Sequence, residues 1–230
     1  MTLRWLLILL PATIFFNSCN FKSAEAYLAE SKIAGEKGDY SAAIKLLDNA
    51  IDKNPTLKEA YLQRGRCFEN VHQEESAISD YKKVLDIDPD NTTAFYYAGL
   101  CRFRQNKFDA AIEFYNKALI TKGVPNPSDT TTLLQTTDPN KNGMSAAFDV
   151  PSSKIYYERG LAYYKTLQTQ RAYRDFQNCI AQQYNLDECF YMSGLCLQAV
   201  NKNDKACESF KQSSTYGNSM AKNQLDHLCK

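Results

Sequence analysis

Asp138, Asn140, Asn142, Gly143 and Asp149 stand at the first, third, fifth, sixth and twelfth places of a calcium-loop pattern. Oxygen donors at alternate places, with glycine at the sharp bend, are what a hard cation asks of a short loop. Only two of these residues are carboxylates, Asp149 replaces the longer bidentate glutamate, and Pro139 stiffens the turn. No amphipathic helix precedes the stretch. A plain Asn142-Gly143 turn, joining 131–137 to 144–150 as a small hairpin, is the preferred reading, and no metal or other cofactor is expected. Other catalytic chemistry is poorly served. The histidines are His72 and His227, far apart in the chain, and there is no glycine-rich phosphate loop, nucleophile turn or close Cys-and-His spacing. The expectation is a protein that is not an enzyme. An unusually acidic thiol among Cys179, Cys189 and Cys207 is the one feature that would reverse it.

The elements that position these residues follow a fixed beat. An aromatic residue recurs at Tyr27, Tyr61 and Phe95, in steps of 34, and again at Tyr156 and Phe190. Ala43, Ala77, Ala111, Ala172 and Ala206 keep the same interval, and Leu47, Tyr81, Tyr115, Phe176 and Phe210 follow them. Small residues where two helices touch, with large ones between, indicate a stack of helix pairs. The interval from Gly99 to Gly160 is 27 residues longer than one period, which places an insertion between the third and fourth copies. It contains Pro125, Pro127, Pro139 and Pro151 and shows no helical periodicity.

Tyr61, Gly65, Phe68, Ala77, Tyr81 and Pro89 make this chain resemble the tetratricopeptide repeat family, with Val84 in place of the motif's second alanine. The first copy departs at Ser31, the third at Arg102, and the last three lack the closing proline. The resemblance implies an all-α, right-handed α-solenoid of about five helix pairs plus a C-terminal capping helix, and a protein-binding scaffold. Repeats 1–3 are expected over 24–121, the irregular insertion over 122–152, repeats 4–5 over 153–218 and the capping helix over 219–230. Met220, Leu225 and Leu228 are expected on the inner face of that last helix.

At the N-terminus, Arg4, an apolar run from Trp5 to Phe16 and then Asn17-Ser18-Cys19 read as an export signal over 1–18, too short to span a bilayer comfortably. Phe16-Asn17-Ser18-Cys19 resembles a bacterial lipoprotein box of the loose form used in Bacteroidota-like lineages. That resemblance implies a lipidated Cys19, a tether over 19–23 and outer-membrane anchoring, facing the periplasm or the surface. Removing 1–18 leaves 26 basic and 26 acidic side chains. A neutral domain has no field to favour nucleic acid.

Setting Cys19 aside, seven cysteines remain, so at least one thiol is unpaired within the chain. Cys67, Cys101 and Cys196 share one repeat position and read as small buried hydrophobes. Cys207 and Cys229 are the favoured disulfide, holding the capping helix to the last repeat, with Cys179 and Cys189 a weaker pair.

In a stack of helix pairs the first helices line the concave side. The residue after each packed aromatic should then face the hollow: Leu28, Leu62, Tyr96, Tyr157 and Tyr191. Leu100 and Phe103, Leu161 and Tyr164, then Leu195 continue the same faces, with Arg104 and Lys165 beside them. The lysines and asparagines of the chaperone-tail clamp known in some family members are replaced here by leucine and tyrosine. The expected ligand is an extended peptide or helix of another protein, anchored by apolar side chains, with Arg104 and Lys165 receiving an acidic group; no small-molecule substrate is expected. The alternative at this site is that the insertion folds back over Tyr96, Phe103, Tyr157 and Tyr164. Alternative functions are a structural subunit of an outer-membrane assembly or secretion complex, and a glycan-binding lipoprotein.

Overall fold

The computed structural model describes residues 22–122 and 150–229. Cys19, the hairpin and the calcium-loop residues Asp138, Asn140, Asn142, Gly143 and Asp149 lie outside the described residues. Within them the chain forms eleven helices and no strand. They are α1 (Ala24–Glu36), α2 (Tyr40–Lys53), α3 (Lys58–Asn70), α4 (Glu74–Ile87), α5 (Thr92–Arg104), α6 (Phe108–Thr121), α7 (Ser152–Lys165), α8 (Thr169–Ala181), α9 (Leu186–Ala199), α10 (Asn203–Thr215) and α11 (Ser219–Leu228). Each odd-numbered helix from α1 to α9 packs on the even-numbered helix that follows it, and each pair packs on the next, ending in α11. Over the described residues the protein is an all-α solenoid of five helix pairs with a terminal helix.

The turns inside the pairs repeat as strictly as the core. Gly38, His72, Asn106, Leu167 and Asn201 each carry a left-handed φ, between +57° and +78°. Beyond each, one amide reaches back to close the first helix: Asp39 N to Ala34 O at 3.0 Å, Gln73 N to Phe68 O at 2.8 Å, Lys107 N to Arg102 O at 2.9 Å, Gln168 N to Tyr163 O at 2.8 Å and Lys202 N to Leu197 O at 3.0 Å. Glycine and asparagine suit that conformation. Leu167 does not, and its side chain is 86% exposed. Side-chain caps start other helices: Ser23 accepts from Ala26 N, Asp39 from Ala42 N at 2.9 Å, Asn91 from Ala94 N at 2.9 Å and Asn218 from Ala221 N at 3.1 Å.

Glycine on each first helix from α3 to α9 faces the large ring of its partner helix. A Cβ on Gly65 would lie 2.6 Å from the Tyr81 ring, on Gly99 2.6 Å from Tyr115, on Gly160 2.9 Å from Phe176 and on Gly194 2.5 Å from Phe210. The four rings are fully buried. They join the repeated alanines in a core running along the whole stack.

The terminal helix differs from expectation in its face. Met220 is 49% exposed while Ala221 is fully buried, and Leu225 and Leu228 pack against Phe210 and its neighbours. The buried stripe therefore begins one residue later than the sequence pattern suggested. Cys207 and Cys229, 22 positions apart in sequence, form a disulfide with Cα atoms 5.8 Å apart. Closing a loop of that size stabilises by about 3 kcal/mol through the unfolded chain. Cys229→Ser is expected to lower the stability of α10 and α11 by about that amount, read as faster hydrogen exchange there than in α5 to α8.

Candidate peptide groove

Two arginines tie successive helix pairs together, and one of them sits on a helix that carries the aromatic row. Arg159 on α7 donates through Nε and Nη2 to both oxygens of Asp175 on α8, at 2.8 and 2.7 Å. Its Nη1 reaches Asn116 Oδ1 on α6 at 2.7 Å. Arg64 on α3 does the same with Asp80 on α4, at 2.9 and 2.7 Å, and with Asp48 on α2 at 2.7 Å. Each clamp fixes its own pair and the pair before it. At the matching place in the last repeat, Gln177 donates to Ser193 at 3.1 Å. These clamps were not anticipated from the sequence. The signal was present, since Arg64 and Arg159 are separated by the same interval as Asp80 and Asp175.

On the opposite side, Leu100, Phe103, Tyr157, Leu161, Tyr164, Tyr191 and Leu195 are all partly buried and pack against a single core cluster. They lie on α5, α7 and α9 and form one apolar face with exposed ring edges. Tyr96 corrects the expectation: it is 1% exposed, not open to the hollow. Its ring is enclosed by Tyr97 and Tyr115, at centroid distances of 5.2 and 6.1 Å, and by the Lys154 ammonium 5.3 Å above it. Leu62, the equivalent residue of the second repeat, is buried as well, whereas Leu28 is partly exposed.

Arg104 is exposed, as a receptor for an acidic group would need to be, yet it already has a carboxylate. Its Nη1 donates to Glu69 Oε2 at 2.5 Å, and the Tyr81 hydroxyl donates to the other Glu69 oxygen. Glu69, with only 8% of its side chain exposed, is thereby held between α3, α4 and α5. Lys165 is exposed at the end of α7. A shallow cavity of ≈ 310 Å³ lined by Glu69, Asn70, His72 and Arg104 lies beside this pair.

The site has an acidic component that sequence reasoning passed over. Glu158, next to Tyr157 on α7, is half-buried, and among the described residues no hydrogen bond or ion pair reaches its carboxylate. Burial pushes its carboxyl above the usual range, and the nearby charges of Lys154 and Arg104 pull it only partly back. Burial, with the Glu158 charge adding to it, pushes the Tyr96 and Tyr115 hydroxyls up as well. Glu158 could have been found by continuing the frame: it occupies the position of Tyr97 in the third repeat.

The thiols of Cys101, Cys179 and Cys196 are pushed upward, away from activation. Burial pushes Cys101 and Cys196 up to about 12, and Cys179 is raised by its contact with Cys189 and by burial. Among the described residues no three His, Cys, Asp or Glu side chains are placed to share a metal ion. No helix among them is long and apolar enough to cross a membrane.

The described geometry agrees with comparison to known proteins. The tetratricopeptide repeat family model matches residues 28–91 and 75–128. The stretch from 28 to 128 belongs to the tetratricopeptide repeat family, a family of scaffolds for protein–protein interaction, and α7 to α10 continue the same packing of helix pairs. It is 33% identical over 96 residues, 42% of its length, to the small glutamine-rich tetratricopeptide repeat-containing protein 2 of Mycosarcoma maydis, and spans only 27% of that relative. Among solved structures it is similar in fold to MamA, at a TM-score of 0.66 and 20% identity, covering 84% of this chain and 96% of the other. PilF of Pseudomonas aeruginosa matches at 0.64 and 15%, covering 84% and 76%. YrrB, described as a tetratricopeptide repeat protein with an unusual peptide-binding site, matches at 0.65 and 15%, covering 90% and 93%.

Proposed function

We propose that this protein is a lipid-anchored, non-catalytic scaffold of the bacterial envelope, held in the outer membrane through Cys19, that binds an extended segment of another envelope protein along α5, α7 and α9. The observation that carries the reading is the row of partly exposed aromatic and leucine side chains on three consecutive first helices. Soluble surfaces seldom leave such a strip bare, and tyrosine gives contact area at small entropic cost. The peptide-binding site named for YrrB lies on the same architecture. Arg104 is removed from the proposed ligand contacts, because Glu69 satisfies its charge.

The test is capture from detergent-solubilised membranes with the purified protein as bait. Tyr157→Ala with Tyr164→Ala is expected to lose a stoichiometric partner while keeping helical content. Unaltered capture by that variant refutes the groove. Anchoring has its own readout: Cys19→Ser should move the protein from the membrane to the soluble fraction.

A further inference from the structure

The buried and half-buried acids differ in what meets them. Asp80, Asp88, Glu69 and Asp175 each meet a lysine or arginine directly. Glu158 does not, although it shares its helix with Lys154, one turn away, and feels Arg104 from α5. The Lys154 ammonium lies over the Tyr96 ring, and Arg104 is engaged by Glu69. From α6 the neighbouring group is Tyr115, whose hydroxyl is buried without any hydrogen-bond partner among the described residues. Tyr184, at the end of the fourth repeat, and Tyr157 complete the surroundings, their rings 6.1 Å apart and edge to face. Glu188 on α9 is a second acid near Tyr157, its carboxylate accepting from Asn218 at 3.1 Å.

A half-buried carboxylate without a donor is costly, and so is an orphan hydroxyl. Of the two, Glu158 stands next to Tyr157 on α7 and is partly open, whereas the Tyr115 hydroxyl is enclosed in the core, so only Glu158 is within reach of a ligand. We infer that Glu158 makes the groove selective for a partner segment carrying a lysine or arginine, whose charged head pairs with the Glu158 carboxylate while its stem crosses the faces of Tyr157 and Tyr184. A basic side chain supplies the donors the carboxylate lacks and is attracted to tyrosine faces. An acidic or purely apolar side chain would leave Glu158 more deeply desolvated than before. The inference rests on the groove reading above.

Panning random dodecapeptides displayed on phage against the purified full-length chain separates the two ideas. The expected result is a set of clones whose capture is lost on Tyr157→Ala and which share a lysine or arginine at one place. A synthetic consensus peptide should then bind Glu158→Gln weaker by about tenfold or more, and Glu158→Asp should keep the preference for the basic residue. Clones that depend on Tyr157 but carry no basic consensus, or bind Glu158→Gln equally well, overturn the inference and leave the groove standing. Absence of any clone sensitive to Tyr157→Ala overturns both. Folding does not confuse the outcome. The raised carboxyl means that the folded state disfavours the ionised form, so stability is gained as pH falls through its folded value. Glu158→Gln is accordingly expected to melt no lower than the parent protein above neutral pH, with the two converging in acid.

Discussion

Asp175→Ala is expected to cost about 3–5 kcal/mol in urea unfolding, because it strands the Arg159 guanidinium in the interior. Arg159 is 4% exposed and Asp175 2%, so neither can turn to water when the other is removed. Two of the three hydrogen bonds of the clamp disappear with the carboxylate, and the third, to Asn116, is left to hold the arginine alone. Replacing both members, Arg159→Met with Asp175→Leu, is expected to recover most of the loss, since the pair's attraction is largely offset by its desolvation. The Arg64 and Asp80 pair provides an internal comparison. Asp80 is buried, but Arg64 retains 20% side-chain exposure and also pairs with Asp48, itself half exposed. Asp80→Ala should therefore cost less than Asp175→Ala. Equal losses at the two places would show that burial is not what governs the cost.

Phe210→Ala is expected to cost about 3–5 kcal/mol through the cavity it leaves at the end of the stack. The ring is fully buried, lies against Gly194 and packs beneath Ala221 on α11. A repeat array transmits such a loss mainly to its nearest neighbours. Hydrogen exchange should rise first in α9, α10 and α11, leaving α3 and α4 protected. Gly194→Ala acts on the same contact from the other side, bringing a methyl within 2.5 Å of the ring. Its cost should be about 1–3 kcal/mol, typical of overpacking. Uniform loss of protection along the chain in either variant would mean that the solenoid unfolds as one unit.

Much of the architecture was readable because each repeat obeys the same steric rule. A small residue at Gly65, Gly99, Gly160 or Gly194 and a ring sixteen residues later mark where two helices touch. The left-handed turn was legible at Gly38 and Asn106 from residue type. At Leu167 only the frame reveals it, since leucine carries no local preference for that conformation. The groove was legible in outline but not in depth. Tyr96 and Tyr157 have equivalent places in the repeat, yet the first is enclosed and the second half open. The difference comes from Lys154 and Tyr97, which close over Tyr96, whereas Glu158 takes the place of Tyr97 beside Tyr157; Tyr115 and its counterpart Phe176 meet the two rings alike. Glu158 and the two arginine clamps escaped for a different reason. A single charged residue on a helix reads as surface until its frame position is compared with those of the other copies.

Arg159 also bears on how the two halves of the solenoid are joined. Its contact with Asn116 reaches from a helix that follows the long insertion to one that precedes it, and α7 packs on α6 as other successive pairs pack on each other. Alignment across that seam is thus carried by side chains of α6 and α7 themselves, whatever their distance apart in sequence.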